Sequence, residues 1–225
     1  MKLSIIIPVY NEAENIIALL RRLQSYRLQG HEVIVVDGGS RDNSFECAVG
    51  MVDKLLMSKP GRAMQMNIGA EQASGEVLVF LHADTELPPQ VNNLIVDAMN
   101  NKNQWGRFNV RLSGRHRMFR IIETMMNWRS CLTGIATGDQ VIFVRRNVFM
   151  QAGGYPEIKL MEDIELSKKL KTFSKPACIK NPVTTSSRRW EKNGIVKTTL
   201  LMWQLRLLYF LGVPPDKLFT RYYRK

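Results

Sequence analysis

The sequence is short of cysteine, histidine, aromatics and long apolar runs, and each shortage closes off a class of protein. Its three cysteines, Cys47, Cys131 and Cys178, are odd in number and far apart. That pattern argues against a disulfide framework or a Cys-x-x-Cys zinc site and predicts a reducing, cytoplasmic setting. Of the three histidines, His31 and His116 have no partner at ligand spacing. Aromatics make up 8% and show no stacking pattern beside the basic residues, so no nucleic-acid partner is expected. The first apolar run, Leu3 to Val9, is interrupted by Pro8 and followed by Asn11-Glu12, too short for the core of an export signal. There is no internal repeat, low-complexity segment or flexible linker.

What remains is the balance of a globular α/β domain: 225 residues, 45% hydrophobic and 23% charged, enough for one core with a tail. The net charge is +12, and the basic excess lies in residues 101–225, since residues 1–100 carry more Asp and Glu than Lys and Arg. Such asymmetry draws anionic partners: nucleic acid, an acidic membrane or phosphorylated small molecules.

Three short runs read as buried strands: Leu3 to Val9, Val33 to Val36 and Val77 to Leu81. Between them lie helical patterns, with Ile16, Leu19, Leu20 and Leu23 on one face of the first, and a turn at Lys59-Pro60-Gly61 feeding a helix that begins near Arg62. Continuous apolar strands alternating with helices predict a mostly parallel sheet covered on both faces. Each run ends in a polar cluster on its carboxyl side, where such sheets place ligands. After Asn100 the segments become shorter and more basic, with an amphipathic stretch from Met118 to Leu132, a strand at Val141 to Val144 and a helix opening at Met161-Glu162-Asp163.

The tail from Thr198 to Val213 is strongly apolar but carries Arg206. A membrane span would place that charge near the bilayer centre at roughly 2.5–3.5 kcal/mol, and the segment is short for a crossing. Two readings stand: an interfacial helix with Trp203 and Tyr209 at headgroup level and Lys217, Arg221, Arg224 and Lys225 on anionic lipid, or a helix packed on the domain's own core.

The chemistry-bearing residues sit at the strand ends. Asp84, directly after a buried strand, suits a hard divalent cation shared with substrate phosphates; it also suits the N-cap of a following helix. Asp37-Gly38-Gly39-Ser40-Arg41-Asp42 is an acidic, glycine-rich loop at a second strand end. Glu162, Asp163 and Glu165 ahead of Lys168, Lys169 and Lys171 fit helix-dipole and i,i+4 pairing without any catalysis.

Taken in order, Ser4-Ile5-Ile6-Ile7-Pro8-Val9-Tyr10-Asn11-Glu12, Val35-Val36-Asp37-Gly38-Gly39-Ser40-Arg41-Asp42 and Phe80-Leu81-His82-Ala83-Asp84-Thr85 resemble a family 2 glycosyltransferase, through about Lys171. The resemblance implies a single Rossmann-like domain of the GT-A type over residues 1–190, flanked by helices, with a nucleotide-sugar-binding half (1–100), an acceptor-side half (101–190) and an amphipathic, basic helical extension (191–225). It implies a nucleoside-diphosphate-sugar donor such as a UDP- or GDP-sugar, Mn²⁺ or Mg²⁺, and inversion at the anomeric carbon. Pro8, Tyr10, Glu12, Asp37 and Asp42 would then line the nucleotide pocket, with Arg62 and Asn67 near ribose and diphosphate. Asp84 takes the last position of the family's Asp-x-Asp metal motif, while His82 stands at the first, an imidazole where the family has a carboxylate. Glu162-Asp163 resembles the acidic pair at the acceptor side, which makes Asp163 the expected general base. Asp139 falls in a loop resembling the one that shapes the acceptor pocket. Arg189-Trp190 resembles an element near the diphosphate, although the fuller Gln-x-x-Arg-Trp pattern is missing.

Two other functions are open at this stage. A nucleotidyltransferase would share the core but lacks here its Gly-rich, Arg-bearing N-terminal loop, and the basic half alone would also serve a non-catalytic nucleic-acid or membrane-binding module. The residues leave the sugar and the acceptor open. A membrane-proximal acceptor and a peripheral position at the inner face of the membrane fit the tail.

Overall fold

A computed structural model describes residues 1–100 and 102–223. The chain runs through β1 (Leu3–Val9), α1 (Ala13–Leu28), β2 (Glu32–Asp37), α2 (Ser44–Ala48), β3 (Lys54–Met57), α3 (Arg62–Gln72) and β4 (Val77–Phe80). It continues through β5 (Thr85–Glu86), α4 (Val91–Asn100), β6 (Trp105–Leu112), α5 (Arg117–Thr133), β7 (Ile142–Arg145), α6 (Arg146–Gln151), α7 (Glu162–Leu170) and β8 (Ala177–Thr185). Helices α8 (Arg188–Asn193), α9 (Ile195–Phe210) and α10 (Pro215–Tyr223) follow.

The strands form one sheet in the order β3-β2-β1-β4-β7-β6-β8-β5. The first four pair in parallel. Strand β7 then runs antiparallel to both β4 and β6, β8 is parallel to β6, and β5 closes the edge antiparallel to β8. The expected parallel sheet is thus the amino-terminal half, and the second half of the chain extends it with mixed pairing. Every residue of β1, β2 and β4 is buried, because helices cover both faces. Ile5, Ile7, Val33 and Val35 pack with Ile16, Leu20, Val91 and Ile95 on one face. Ile6, Ile34 and Val36 pack with Met66, Ala70, Val148 and Leu166 on the other.

From β1 the chain steps outward to β2 and β3, then returns to β4 on β1's other side. The ends of β1 and β4 therefore flank a switch point, the place where open α/β sheets leave a crevice. Gln65 on α3 is 2% exposed. Its Nε2 donates to the carbonyls of Val9 at 2.7 Å and Val36 at 2.8 Å, tying the ends of β1 and β2 to the helix that starts at Arg62.

Two expectations are corrected. Cys131, at the end of α5, and Cys178, in β8, are paired in a disulfide with Cα atoms 6.0 Å apart, although 47 residues separate them; Cys47 is left free. Their spacing carried no sign of this because the contact depends on α5 packing back across β6. The pairing also removes the ground on which a reducing compartment was expected. Asp84, offered as a helix N-cap, stands instead in a tight turn between β4 and β5, where the Thr85 N–H donates to the His82 carbonyl at 3.1 Å.

The tail divides its faces between both readings. Leu205 and Leu218 pack with Ile135, Leu160, Met161 and Ile164 in a small separate core, while Val196, Leu200, Trp203, Leu207 and Phe210 stay exposed. Arg224 and Lys225 lie outside the described residues. No helix of the described residues is long and apolar enough to cross a membrane.

Gln65→Leu should keep the fold and lower stability by about 1–3 kcal/mol, the cost of losing two buried hydrogen bonds. A urea midpoint unchanged from wild type would show that the strand ends do not rely on this amide.

Candidate active site

The switch point opens into a cleft of about 800 Å³. One wall is the β1–α1 turn, with Pro8, Tyr10 and Glu12; another is the start of α3 with Arg62. The β4–β5 turn supplies His82 and Asp84, and Asp139, Glu162, Arg189 and Trp190 come from the second half of the chain. Ten of the residues singled out from the sequence thus share one cavity, although they are spread from position 8 to position 190.

Backbone strain collects around it. Asn11 (φ 55), Val141 (φ 50) and Met161 (φ 71) adopt left-handed conformations that cost a non-glycine residue energy. Val141 follows the short 3-10 turn Gly138–Gln140, and Met161 sits immediately before the acidic pair. Gly138 is required by close approach: a Cβ there would lie 2.5 Å from the His82 ring.

At the centre, an Arg62 guanidinium nitrogen is 3.0 Å from Glu162 Oε1. Burial works against the Arg62 charge, but Glu162 and Asp163 outweigh it and raise its pKa. Glu162 is 4% exposed, and its Oε2 is buried without a hydrogen-bond partner. Burial pushes its carboxyl up to about 7; Arg62 opposes that shift and Asp163 adds to it. Asp139 lies 3.8 Å from the His82 ring nitrogen, and the surrounding protein raises its pKa, with His82 pulling the other way.

Several expected residues act from behind the cleft and do not line it. Asp37 is 2% exposed and accepts from the Gly39 and Ser40 N–H groups at 2.9 and 2.8 Å, and from the Ser40 hydroxyl. It holds its own loop. Asp42 accepts from Ala13 N–H at 3.1 Å and from Ser44, pinning α1 to α2. Asn67 exchanges two hydrogen bonds with the backbone of Tyr155, at 2.8 and 2.9 Å, joining α3 to the loop before α7. Asp163 accepts from the Gly138 and Ile164 N–H groups at 2.9 and 2.8 Å, so it ties the Asp139 loop to α7.

The Arg-Trp element is also shared out differently. Arg189 stacks on the Tyr222 ring at 3.5 Å and donates to the Tyr222 carbonyl, which anchors α10. Its neighbour Arg188 lies 3.6 Å from Glu12 across the cleft lining. Arg188 was not singled out, although it stands in the same Ser-Arg-Arg-Trp run. Phe219 and Tyr222 of α10 also line the cleft, and only the tail's aromatic content hinted at them.

Among the described residues no group of three or more His, Cys, Asp or Glu side chains is arranged to hold a metal ion by itself. His82 and Asp84, one imidazole and one carboxylate on the same turn of the cleft, are the donors that would hold a cation whose remaining ligands come from substrate oxygens.

A mixed sheet with a parallel amino-terminal half and a polar cleft at its switch point defines a GT-A-type α/β protein. The glycosyl transferase family 2 model matches residues 4–153, and the chain belongs to that family. It is 36% identical over 109 residues to a dolichol-phosphate mannosyltransferase of Pyrococcus furiosus, covering 45% of this chain and 31% of that protein. It is 35% identical over 100 residues to an undecaprenyl-phosphate 4-deoxy-4-formamido-L-arabinose transferase of Serratia proteamaculans, covering 40% and 31%. The aligned region therefore spans about a third of either relative. In solved structures the fold resembles S. aureus TarS 1-349 in complex with UDP-GlcNAc, with TM-score 0.68, 18% identity and coverage of 83% of this chain and 59% of that one. It also resembles the mannosyltransferase PcManGT of Pyrobaculum calidifontis in complex with GDP-Man and Mn²⁺, with TM-score 0.64, 21% identity and coverage of 91% and 60%.

A carboxyl whose folded pKa exceeds its unfolded value binds its proton more tightly when folded, so its stabilisation is present below the unfolded value and lost as pH rises through the folded one. For Glu162 that window runs from about 4.5 to about 7. Relative to Glu162→Gln, wild type should lose stability across this window, with a ceiling on the order of 3 kcal/mol. Parallel urea-midpoint profiles for the two proteins would exclude a raised Glu162.

Proposed function

We propose that the chain is a metal-assisted, inverting glycosyltransferase that moves a sugar from a nucleoside-diphosphate sugar to an acceptor hydroxyl. The observation that carries this reading is the joining, in one cleft, of the β1–α1 turn, the Arg62 and Arg188 guanidiniums, the His82-Ala83-Asp84 turn and Glu162. Family membership supplies the reaction class, and the UDP-GlcNAc and GDP-Man bound in the two fold neighbours fit the donor.

In this reading Pro8, Tyr10 and Glu12 line the nucleotide pocket, while Asp37, Asp42 and Asn67 hold the surrounding loops in place. Arg62 and Arg188 face the diphosphate, whose negative charge grows as it leaves. A divalent cation held by His82 and Asp84 supplies further Lewis-acid stabilisation when bound. Asp139 orients a donor or acceptor hydroxyl, and Trp190 packs the cleft wall. The acceptor oxygen forms its bond to the anomeric carbon on the face opposite the diphosphate. The bond to the diphosphate oxygen breaks with its electron pair, and Glu162, the member of the acidic pair that lines the cleft, takes the hydroxyl proton; its unpartnered Oε2 and its pKa near 7 support that role. A second reading keeps the expectation from the sequence and gives the proton to Asp163.

The acceptor is proposed to be membrane-proximal, since both named relatives carry a lipid phosphate in their names. The exposed apolar side of α9, with the exposed Lys197, Lys217 and Arg221 nearby, suits peripheral contact with an anionic bilayer on its cytoplasmic side. No nucleic-acid partner is proposed. Residues 1–190 are taken as the transferase domain and 191–225 as the extension that closes it.

Thermal stabilisation by UDP or GDP should grow with Mn²⁺ or Mg²⁺, and Asp84→Ala should lose the cation-dependent part. Glu162→Gln should keep donor stabilisation and lose turnover by roughly 10²–10⁴-fold; full turnover in Glu162→Gln with loss in Asp163→Asn moves the base to Asp163. Absence of any nucleotide response, or pyrophosphate release from a nucleoside triphosphate, would refute glycosyl transfer. Trp203→Ser with Leu207→Ser should abolish cosedimentation with phosphatidylglycerol vesicles while nucleotide stabilisation persists; retained cosedimentation would exclude α9 as the contact.

A further inference from the structure

The disulfide between α5 and β8 stands outside the cleft and takes no part in the reaction described above. Cys131 lies in the last turn of α5 and Cys178 near the start of β8, with Cα atoms 6.0 Å apart. Cys131 is exposed and Cys178 half-buried, so a thiol in solution reaches the bond from the α5 side.

The bond restrains the end of a helix that apolar packing holds poorly. Beyond Glu123, α5 buries Ser130 and leaves Met125, Trp128 and Leu132 to solvent. Gln140, itself fully buried, donates from Nε2 to the Ser130 hydroxyl at 2.8 Å. It closes the turn Gly138–Gln140, in which the Gly138 N–H donates to Asp163 at 2.9 Å and Asp139 lines the cleft. The same turn sets Gly138 against the His82 ring and passes into Val141, with its left-handed φ of 50. A β-branched residue keeps that conformation while its surroundings impose it. The disulfide, Ser130, Gln140 and the turn thus form one chain of contacts from the surface to the His82 side of the cleft.

We propose that the Cys131–Cys178 bond is a thiol-operated clamp on the cleft. Closed, it holds the Gly138–Gln140 turn against His82; opened by a dithiol, it releases that turn and weakens the hold of the cleft on a divalent cation. The effect on the cation rests on the glycosyltransferase reading, whereas the release of the turn does not. In opening, a thiolate of the dithiol attacks the Cys131 sulfur and Cys178 leaves as a thiolate. The second thiol of the reductant then displaces Cys131 from the mixed disulfide. Two electrons pass to the protein, the two thiol protons end on the two cysteines, and the reductant ends as a disulfide.

The test uses the whole chain carrying Cys47→Ala, so that no third thiol can exchange, oxidised and then treated with dithiothreitol. Alkylation with mass spectrometry reports the two cysteines as blocked in the first state and free in the second. Amide hydrogen exchange over residues 137–141 should quicken by about tenfold or more on reduction, while β1, β2 and β4 keep their rates. Reoxidation should restore protection, and Cys131→Ser with Cys178→Ser should exchange like the reduced protein whatever reagent is added. The Mg²⁺ concentration at half of the cation-dependent stabilisation by UDP or GDP should rise by about tenfold on reduction, with stabilisation by nucleotide alone unchanged. Equal exchange of the turn in both states would overturn the clamp. So would an equal quickening of the turn and the three strands, which would make the bond a staple of the whole fold, or a quickened turn with an unchanged Mg²⁺ midpoint. A quickened turn with no nucleotide response in either state would instead sink the transferase reading and leave the clamp on the turn standing.

Discussion

The site depends on the carboxyl ends of β1 and β2, and on the amide of Gln65 that keeps them in place. Parallel strands that part at a switch point leave carbonyl groups with no neighbouring strand to bond. In this protein a buried side chain on α3 bonds the carbonyls of Val9 and Val36. The same contact sets where α3 begins, so Arg62 is delivered to the cleft by a helix fastened to the sheet. Asn67, a half-turn further along, fastens that helix to the Tyr155 backbone, which precedes the segment bearing Glu162 and Asp163. One helix thereby registers the parallel, amino-terminal half of the sheet against the acidic pair.

Charge is organised around that axis. Arg62 with Glu162, and Arg188 with Glu12, are opposite charges placed where burial or partial burial makes each matter more than it would in water. Glu162 keeps one oxygen without a partner, and Asp163 spends both of its oxygens on backbone. The two members of the pair are therefore unlike in chemistry despite being adjacent in sequence. The basic excess of residues 101–225 is likewise divided, with Arg188 and Arg189 at the cleft and exposed lysines and arginines on the tail.

The carboxyl-terminal helices join these parts. Helix α10 brings Phe219 and Tyr222 to the cleft lining and is held by the Arg189–Tyr222 stack, while α9 packs Leu205 inward and leaves Trp203 and Leu207 outside. A segment that composition alone marks as surface-seeking is thus also a wall of the site.

Local pattern determined a good deal. The buried strands β1, β2 and β4, the helices between them and the polar clusters at their ends follow from apolar periodicity, because burial on two faces admits little but a continuous apolar run. Ordered motifs placed Pro8, Tyr10, Glu12, Arg62, His82, Asp84, Asp139, Glu162, Arg189 and Trp190, and those ten do share the cleft. Tertiary structure decided what depends on distance through space. It paired Cys131 with Cys178, turned Asp37, Asp42, Asn67 and Asp163 from expected cleft groups into braces for loops, and brought Arg188 to the cleft beside Arg189. Periodicity reports which face of an element is buried, whereas these contacts join elements tens of residues apart, and their partners are fixed only when the layers pack.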